Sequence, residues 1–208
     1  MPLEVLRSLS QLRQECSVKG INVEISSPRE KKEDYVLALR DYYIQENYGG
    51  KLPRALELML QIECPMLCKR YPEPKPEEQE AIWEGKEWYL ERKIDGVRMV
   101  HFFVDGDFDF YSRNLSVTDY LPTSYRATID TAHVDRSKIK DEFIIDAELE
   151  CTSAQVSTLL EKRGVVTETQ LAAVTAILAM EPARSIELQR AEGKLRSVAF
   201  DCIWWHVS

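Results

Sequence analysis

Lys93, Asp95, Gly96 and Arg98 fall within one short string, Glu91-Arg92-Lys93-Ile94-Asp95-Gly96-Val97-Arg98. A lysine amine is a nucleophile only when deprotonated, and burial or a nearby cation such as Arg98 or a metal moves its pKa toward that state. Gly96 permits a turn beside it. Read alone, the same residues also make a surface hairpin with solvated charges. Three later segments carry further candidates: Tyr111-Ser112-Arg113-Asn114, Ile145-Asp146-Ala147-Glu148-Leu149 and Val198-Ala199-Phe200-Asp201. Strand alternation puts Asp146 and Glu148 on one face and their apolar neighbours on the other. Such a two-carboxylate face also suits plain strand surface, Arg113 beside a turn suits simple exposure, and Phe200 in an apolar strand suits core packing.

Taken together and in this order, the four segments resemble the covalent nucleotidyltransferases: ATP-dependent DNA ligases, RNA ligases and mRNA capping guanylyltransferases. Lys93 to Arg98 is similar to the family's K-x-D-G-x-R element. Ser112-Arg113 is similar to its S-R-x element, Asp146-Ala147-Glu148 to its D-G-E strand, and Phe200-Asp201 to its aromatic-plus-Asp strand. Cys64-Pro65-Met66-Leu67 resembles the P-M-L segment that precedes the ligase adenylation domain.

The resemblance implies a role for each residue. Lys93 attacks the α-phosphate of ATP, expels pyrophosphate and holds AMP as a phosphoramidate. Glu91 contacts the adenine amino group, Arg98 grips the ribose or phosphate region, and Arg113 touches the ribose or the nucleic acid's 5′-phosphate. Glu148 binds the ribose hydroxyls or helps place Mg²⁺, and Phe200 stacks on adenine. Phosphoryl transfer needs in-line positioning and cations that neutralise developing charge, which suits Mg²⁺ and planar arginine forks. The sequence departs from the pattern in three places. Ala147 stands where Gly is common, Val97 where many DNA ligases have Glu, and no later E-G-x-x-x-K strand, closing K-x-K element or OB-fold segment follows. The expectation is therefore the front part of an adenylation domain. Its sheet edges would be unpaired, or completed by a partner chain.

The elements that must position these residues follow from periodicity. Leu3, Leu6, Leu9 and Leu12 recur at helical spacing, and Gly20 breaks the run. Ser26-Ser27-Pro28-Arg29-Glu30 looks like a helix start, with a Ser cap and Pro at the first position. Tyr35, Val36, Leu39 and Tyr43 give the buried stripe of that second helix, which ends before Gly49-Gly50. A third helix is expected over 53–62. Residues 71–80, YPEPKPEEQE, read as a linker or surface strap. The period then changes to two in WYLERKI, VRMVHFFV, FDFYSRN and EFIIDAELE, with Asp105-Gly106 as a hairpin turn. Helical patterns follow near 153–162, 167–180 and 181–191, and LRSVAFDCIWW is a last strand. The fold class expected is α+β on an antiparallel sheet. Residues 1–62 form a helical module, 63–80 a linker, and 81–208 the front of the nucleotidyltransferase domain. The helical module resembles a SAP-type DNA-binding unit, with Arg29, Lys31 and Lys32 as its phosphate contacts. A plain helical accessory domain fits the same pattern.

Composition narrows the classes. The chain has 208 residues, 44% hydrophobic and 30% charged, which is globular composition and excludes a mainly disordered chain. No apolar run approaches a membrane span, and Glu4 and Arg7 spoil any signal peptide. Five scattered cysteines fit a reduced cytosolic or nuclear setting, and Cys64 with Cys68 lacks the second ligand pair that structural zinc needs. The net charge of −8 means that any nucleic-acid contact comes from placed residues and not from bulk charge.

The leading expectation is an ATP-dependent polynucleotide ligase that seals nicked duplex DNA through a lysyl-AMP intermediate. As a fragment without the later motifs, this chain should adenylate Lys93 poorly or not at all. The alternatives are a capping guanylyltransferase, which would take GTP, and a non-catalytic relative that binds nucleic acid or a partner without adenylation.

Overall fold

The computed structural model describes residues 7–62, 93–163 and 169–206. Helix α1 (Leu9–Lys19) begins at Ser8, whose side chain accepts from the Gln11 N–H while Gln11 accepts from the Ser8 N–H. This reciprocal box satisfies two otherwise orphaned groups at the helix start. Gly20 closes the helix in the left-handed region at φ 68°. Helix α2 spans Lys32–Tyr48 and ends at Gly49 in the same way. Helix α3 (Arg54–Gln61) follows Pro53.

The start of α2 corrects the sequence expectation. Ser26 is not its cap and Pro28 does not sit in its first turn. The Asp34 carboxylate instead accepts from the Lys31 N–H at 3.0 Å and from the Ser26 hydroxyl at 2.6 Å. A charged acceptor inside the first turn also meets the positive end of the helix dipole, so it outcompetes a neutral Ser cap several residues upstream. The Ser26 hydroxyl, the first cause, and the Lys31 N–H hold the Asp34 pKa below its ordinary value.

Five strands form one sheet: β1 (Val97–Val104), β2 (Asp107–Leu115), β3 (Pro122–Ser124), β4 (Glu142–Glu150) and β5 (Arg196–His206). Their order is β3-β2-β1-β4-β5, and each neighbouring pair is antiparallel. Asp105 and Gly106 turn the β1–β2 hairpin with φ of 54° and 74°, the paired positive values that match strand twist. Between β4 and β5 the chain forms helices α4 (Ser153–Arg163), α5 (Gln170–Leu178) and α6 (Pro182–Glu192). The architecture is α+β, as expected. β5 lies at one edge of the sheet, paired only with β4 among the described residues.

Alternation along the strands gives the sheet two different faces. One face carries Met99, Phe110 and Leu149 and packs against α4, α5 and α6 through Leu159, Ala173, Val174, Ile177, Leu178 and the partly buried Leu188. The other carries Val100, Phe102, Val104, Tyr111 and Ile144 and packs under Leu56 and Met59 of α3. Arg54 secures that helix at the hairpin end, bonding Asp105 at 2.8 Å and Glu142 at 3.0 Å. The α1–α2 pair has its own core of Leu12, Cys16, Tyr35, Val36 and Leu39. Into it the β2–β3 connection inserts Tyr120, fully buried, whose hydroxyl donates to Glu15 at 2.6 Å. The helical region is thus packed on the sheet at two places.

Candidate functional site

Along the α3-facing side of β1 the side chains run Val104, Phe102, Val100 and then Arg98. Along β4 they run Ile144, Asp146 and Glu148. From the middle of the sheet toward Gly96 both strands change from apolar to charged, so the register gathers Arg98, Asp146 and Glu148 at this end, while Glu142 at the hairpin end is taken up by Arg54 of α3. Arg98 lies directly opposite Glu148, and Asp146 is opposite Val100.

Gly96 fixes this end of the sheet. A Cβ there would sit 2.1 Å from the Leu149 carbonyl oxygen and 3.0 Å from the Glu148 Cγ. Glycine is required by this close backbone approach. The approach lets the Gly96 N–H donate to Glu148 Oε1 at 2.8 Å. The K-x-D-G-x-R segment and the carboxylate strand are therefore joined by a hydrogen bond.

Asp146 is buried, and Arg98 answers it. The guanidinium Nε lies 3.0 and 3.1 Å from the two carboxylate oxygens, and Nη2 also bonds Oδ2. The ion pair is enclosed on the Asp146 side, so removing either partner would strand a charge in low dielectric. The guanidinium carbon Cζ lies over the Phe200 ring, 5.2 Å from its centroid and within cation–π range. Phe200 gets there through an irregularity. The β4–β5 register shifts between Asp146, opposite Asp201, and Ala147, opposite Ala199, which makes Phe200 the extra residue of a bulge. A bulge re-aims a side chain out of simple alternation. The ring is 45% exposed and so is not a core residue.

The other sequence candidates are placed as follows. Lys93 is exposed, three residues before Gly96 and outside regular structure. Of the strand expected over 88–94, residues 88–92 lie outside the described residues, and β1 starts only at Val97. Glu91 and the Pro65-Met66-Leu67 segment also lie outside them. Arg113 is half-buried on β2, on the same face as Tyr111 by alternation and one residue past Ser112, which pairs with Met99. Arg29, Lys31 and Lys32 belong to the helical region, at and before the start of α2, with Arg29 and Lys31 exposed. The structure therefore assembles Gly96, Arg98, Glu148 and Phe200, with Arg113 on the adjoining strand β2.

Asp146 is the residue that sequence reasoning undervalued. Its signal was the pairing of a charged end on β1 with a charged end on β4, legible only once the register is known. His101 lies on the opposite face, where burial pushes its pKa down to about 4. Its Nδ1 is 3.2 Å from the Ser197 hydroxyl, and its ring meets Phe110 edge-on. It is a core histidine of β1.

Among the described residues no group of three or more His, Cys, Asp or Glu side chains forms a metal cage. No helix among them is long and apolar enough to cross a membrane. Mg²⁺ commonly uses one or two carboxylates together with substrate phosphates, a requirement that the half-buried Glu148 fits as a single protein ligand.

Residues 65–207 match the family model described as the ATP dependent DNA ligase domain. Neither the search of curated proteins nor that of solved structures returned a match. The family model covers more than half of the chain, and the chain belongs to the ATP-dependent DNA ligase domain family.

Proposed function

We propose that this member of the ligase domain family is the nucleotide-binding part of an ATP-dependent DNA ligase, with Lys93 as its covalent nucleophile. The observation that carries the reading is the Gly96 N–H bond to Glu148. It joins the lysine-bearing segment to the carboxylate strand at the end of the sheet face that holds Arg98 and Asp146.

Lys93 Nζ attacks the α-phosphorus of ATP, the bond to the β-phosphate oxygen breaks, and pyrophosphate leaves. The resulting lysyl-AMP passes its adenylyl group to the 5′-phosphate at a nick. The 3′-hydroxyl then displaces AMP and closes the strand. Glu148 holds the ribose hydroxyls or a divalent ion bound with the nucleotide. When bound, that ion supplies positive charge to the departing phosphates. Phe200 offers an exposed aromatic face to the base, and stacking of this kind contributes about 1–3 kcal/mol. Arg113, one residue past Ser112 on β2, suits a phosphate or ribose. Glu91 completes base recognition. The units are residues 1–62, 63–80 and 81–208, and in the first Arg29, Lys31 and Lys32 contribute DNA phosphate contacts.

The test is incubation with α-labelled ATP or GTP and Mg²⁺, read on a denaturing gel and by peptide mass, with Lys93→Ala alongside. Label from ATP that disappears in the variant supports the reading. Label from GTP alone assigns a guanylyltransferase, and nucleotide-free, salt-dependent DNA binding assigns a non-catalytic relative.

A further inference from the structure

We propose that Asp146 and Arg98 are positioning residues for the Phe200 ring, together setting the plane on which a nucleobase stacks. This rests on the nucleotide-binding reading of the site. Phe200 is the extra residue of a bulge and is 45% exposed, so core packing does not fix its orientation. What lies against its face is the Arg98 guanidinium, 5.2 Å from the centroid. That guanidinium is planar, and its Nε–Nη2 edge is held by the Asp146 carboxylate through bonds that include 3.0 and 3.1 Å contacts. Asp146 is itself only 2% exposed and sits in the middle of β4, paired on both sides. Rigidity therefore passes from a central strand to a carboxylate, from the carboxylate to a flat cation, and from the cation to an exposed ring.

This arrangement changes the work assigned to Arg98. The forked edge that suits a phosphate is already engaged by Asp146. Lysine would keep a charge opposite Asp146 but lacks the fork that holds the cation in one orientation over the ring. Asp146 would thus influence base binding without touching the nucleotide.

The experiment measures ATP affinity by calorimetry, and KM and kcat for adenylation of Lys93, on the full chain. The variants are Phe200→Leu, Asp146→Asn, Arg98→Lys and the Asp146→Asn/Phe200→Leu double. Phe200→Leu should weaken ATP binding roughly five- to a hundredfold, the range for losing one base-stacking ring. Asp146→Asn and Arg98→Lys should raise KM toward the same value while kcat moves by less than about twofold. The double variant should be no weaker than Phe200→Leu alone, because the ring that Asp146 positions is gone. Effects that multiply in the double, or a fall in kcat at unchanged KM, overturn the proposal.

A wild-type chain that binds no ATP would count against the ligase reading and leaves the relay testable by NMR. With ring-labelled phenylalanine, Asp146→Asn and Arg98→Lys should shift the Phe200 resonances toward random-coil positions. Unmoved resonances overturn the proposal. Arg98→Lys retains a cation opposite Asp146, so it reports even where Asp146→Asn does not fold.

Discussion

One face of the sheet is built in two ways. Near the hairpin, Val100, Phe102, Val104 and Ile144 are buried under Leu56 and Met59 of α3, and the interactions are chiefly apolar contact and area removed from water, with the Arg54 ion pairs to Asp105 and Glu142 at the rim. At the far end the same strands carry Arg98, Asp146 and Glu148, and the interactions are a buried ion pair, a backbone–carboxylate bond and a ring on a cation. A buried ion pair is weak evidence for stability, since hydrophobic residues of similar volume often serve as well. The apolar half stabilises the sheet. The polar half spends part of that stability on holding directional groups in fixed positions.

The contrast is broken most severely by Arg98→Met. It leaves Asp146 buried without its cation and should cost about 3–5 kcal/mol in urea unfolding, together with weakened ATP binding. Leu56→Ala, in the apolar half, should cost about 2–5 kcal/mol while the protein that remains folded binds ATP with unchanged affinity. A loss of affinity there would show that the two halves are not separable. Gly96→Ala adds a Cβ 2.1 Å from the Leu149 carbonyl and should cost about 1–3 kcal/mol, with adenylation of Lys93 falling more steeply than stability.

His101 gives a pH test of the opposite face. Its folded pKa of about 4 lies below the unfolded value of about 6.5, so only the unfolded chain takes up the proton readily in between. The neutral-ring contribution is complete above the unfolded pKa and is lost as pH falls toward 4. Unfolding at pH 7 and pH 5 should differ by about 2 kcal/mol from this residue, and His101→Phe should flatten that difference. Asp130 titrates lower. Burial raises its pKa, but bonds from Lys194, the Ala132 N–H and Arg190 prevail and hold it at about 2. Its contribution is lost only as pH falls from the ordinary carboxylate range toward 2. The smallest effect is expected in the helical region, where Lys31→Gln should reduce the salt dependence of DNA binding by about one unit of slope.

How far the sequence reaches can be judged element by element. The change from helical to two-residue period, the Asp105-Gly106 turn and the Gly20 and Gly49 stops are local signals, and the helices and long strands follow them closely. The start of α2 was misread because the deciding acceptor, Asp34, lies inside the helix and reaches back to Ser26. β3, with three residues, is too short to show a period. In the site, Arg98, Glu148 and Phe200 were legible as residue types. The partnership of Arg98 with Asp146 depends on strand register, and the aim of Phe200 depends on a bulge. The need for Gly96 depends on the Leu149 carbonyl, more than fifty residues away. These are facts of pairing, and no local pattern carries them.

The Gly96 end of the sheet face should present Lys93 to a nucleotide α-phosphate. The most direct measurement is peptide mass spectrometry after incubation with ATP and Mg²⁺. AMP is expected on the Lys93 peptide, even at low yield, and none in Lys93→Ala. ATP that binds without modifying Lys93, or label that persists in the variant, would contradict that expectation.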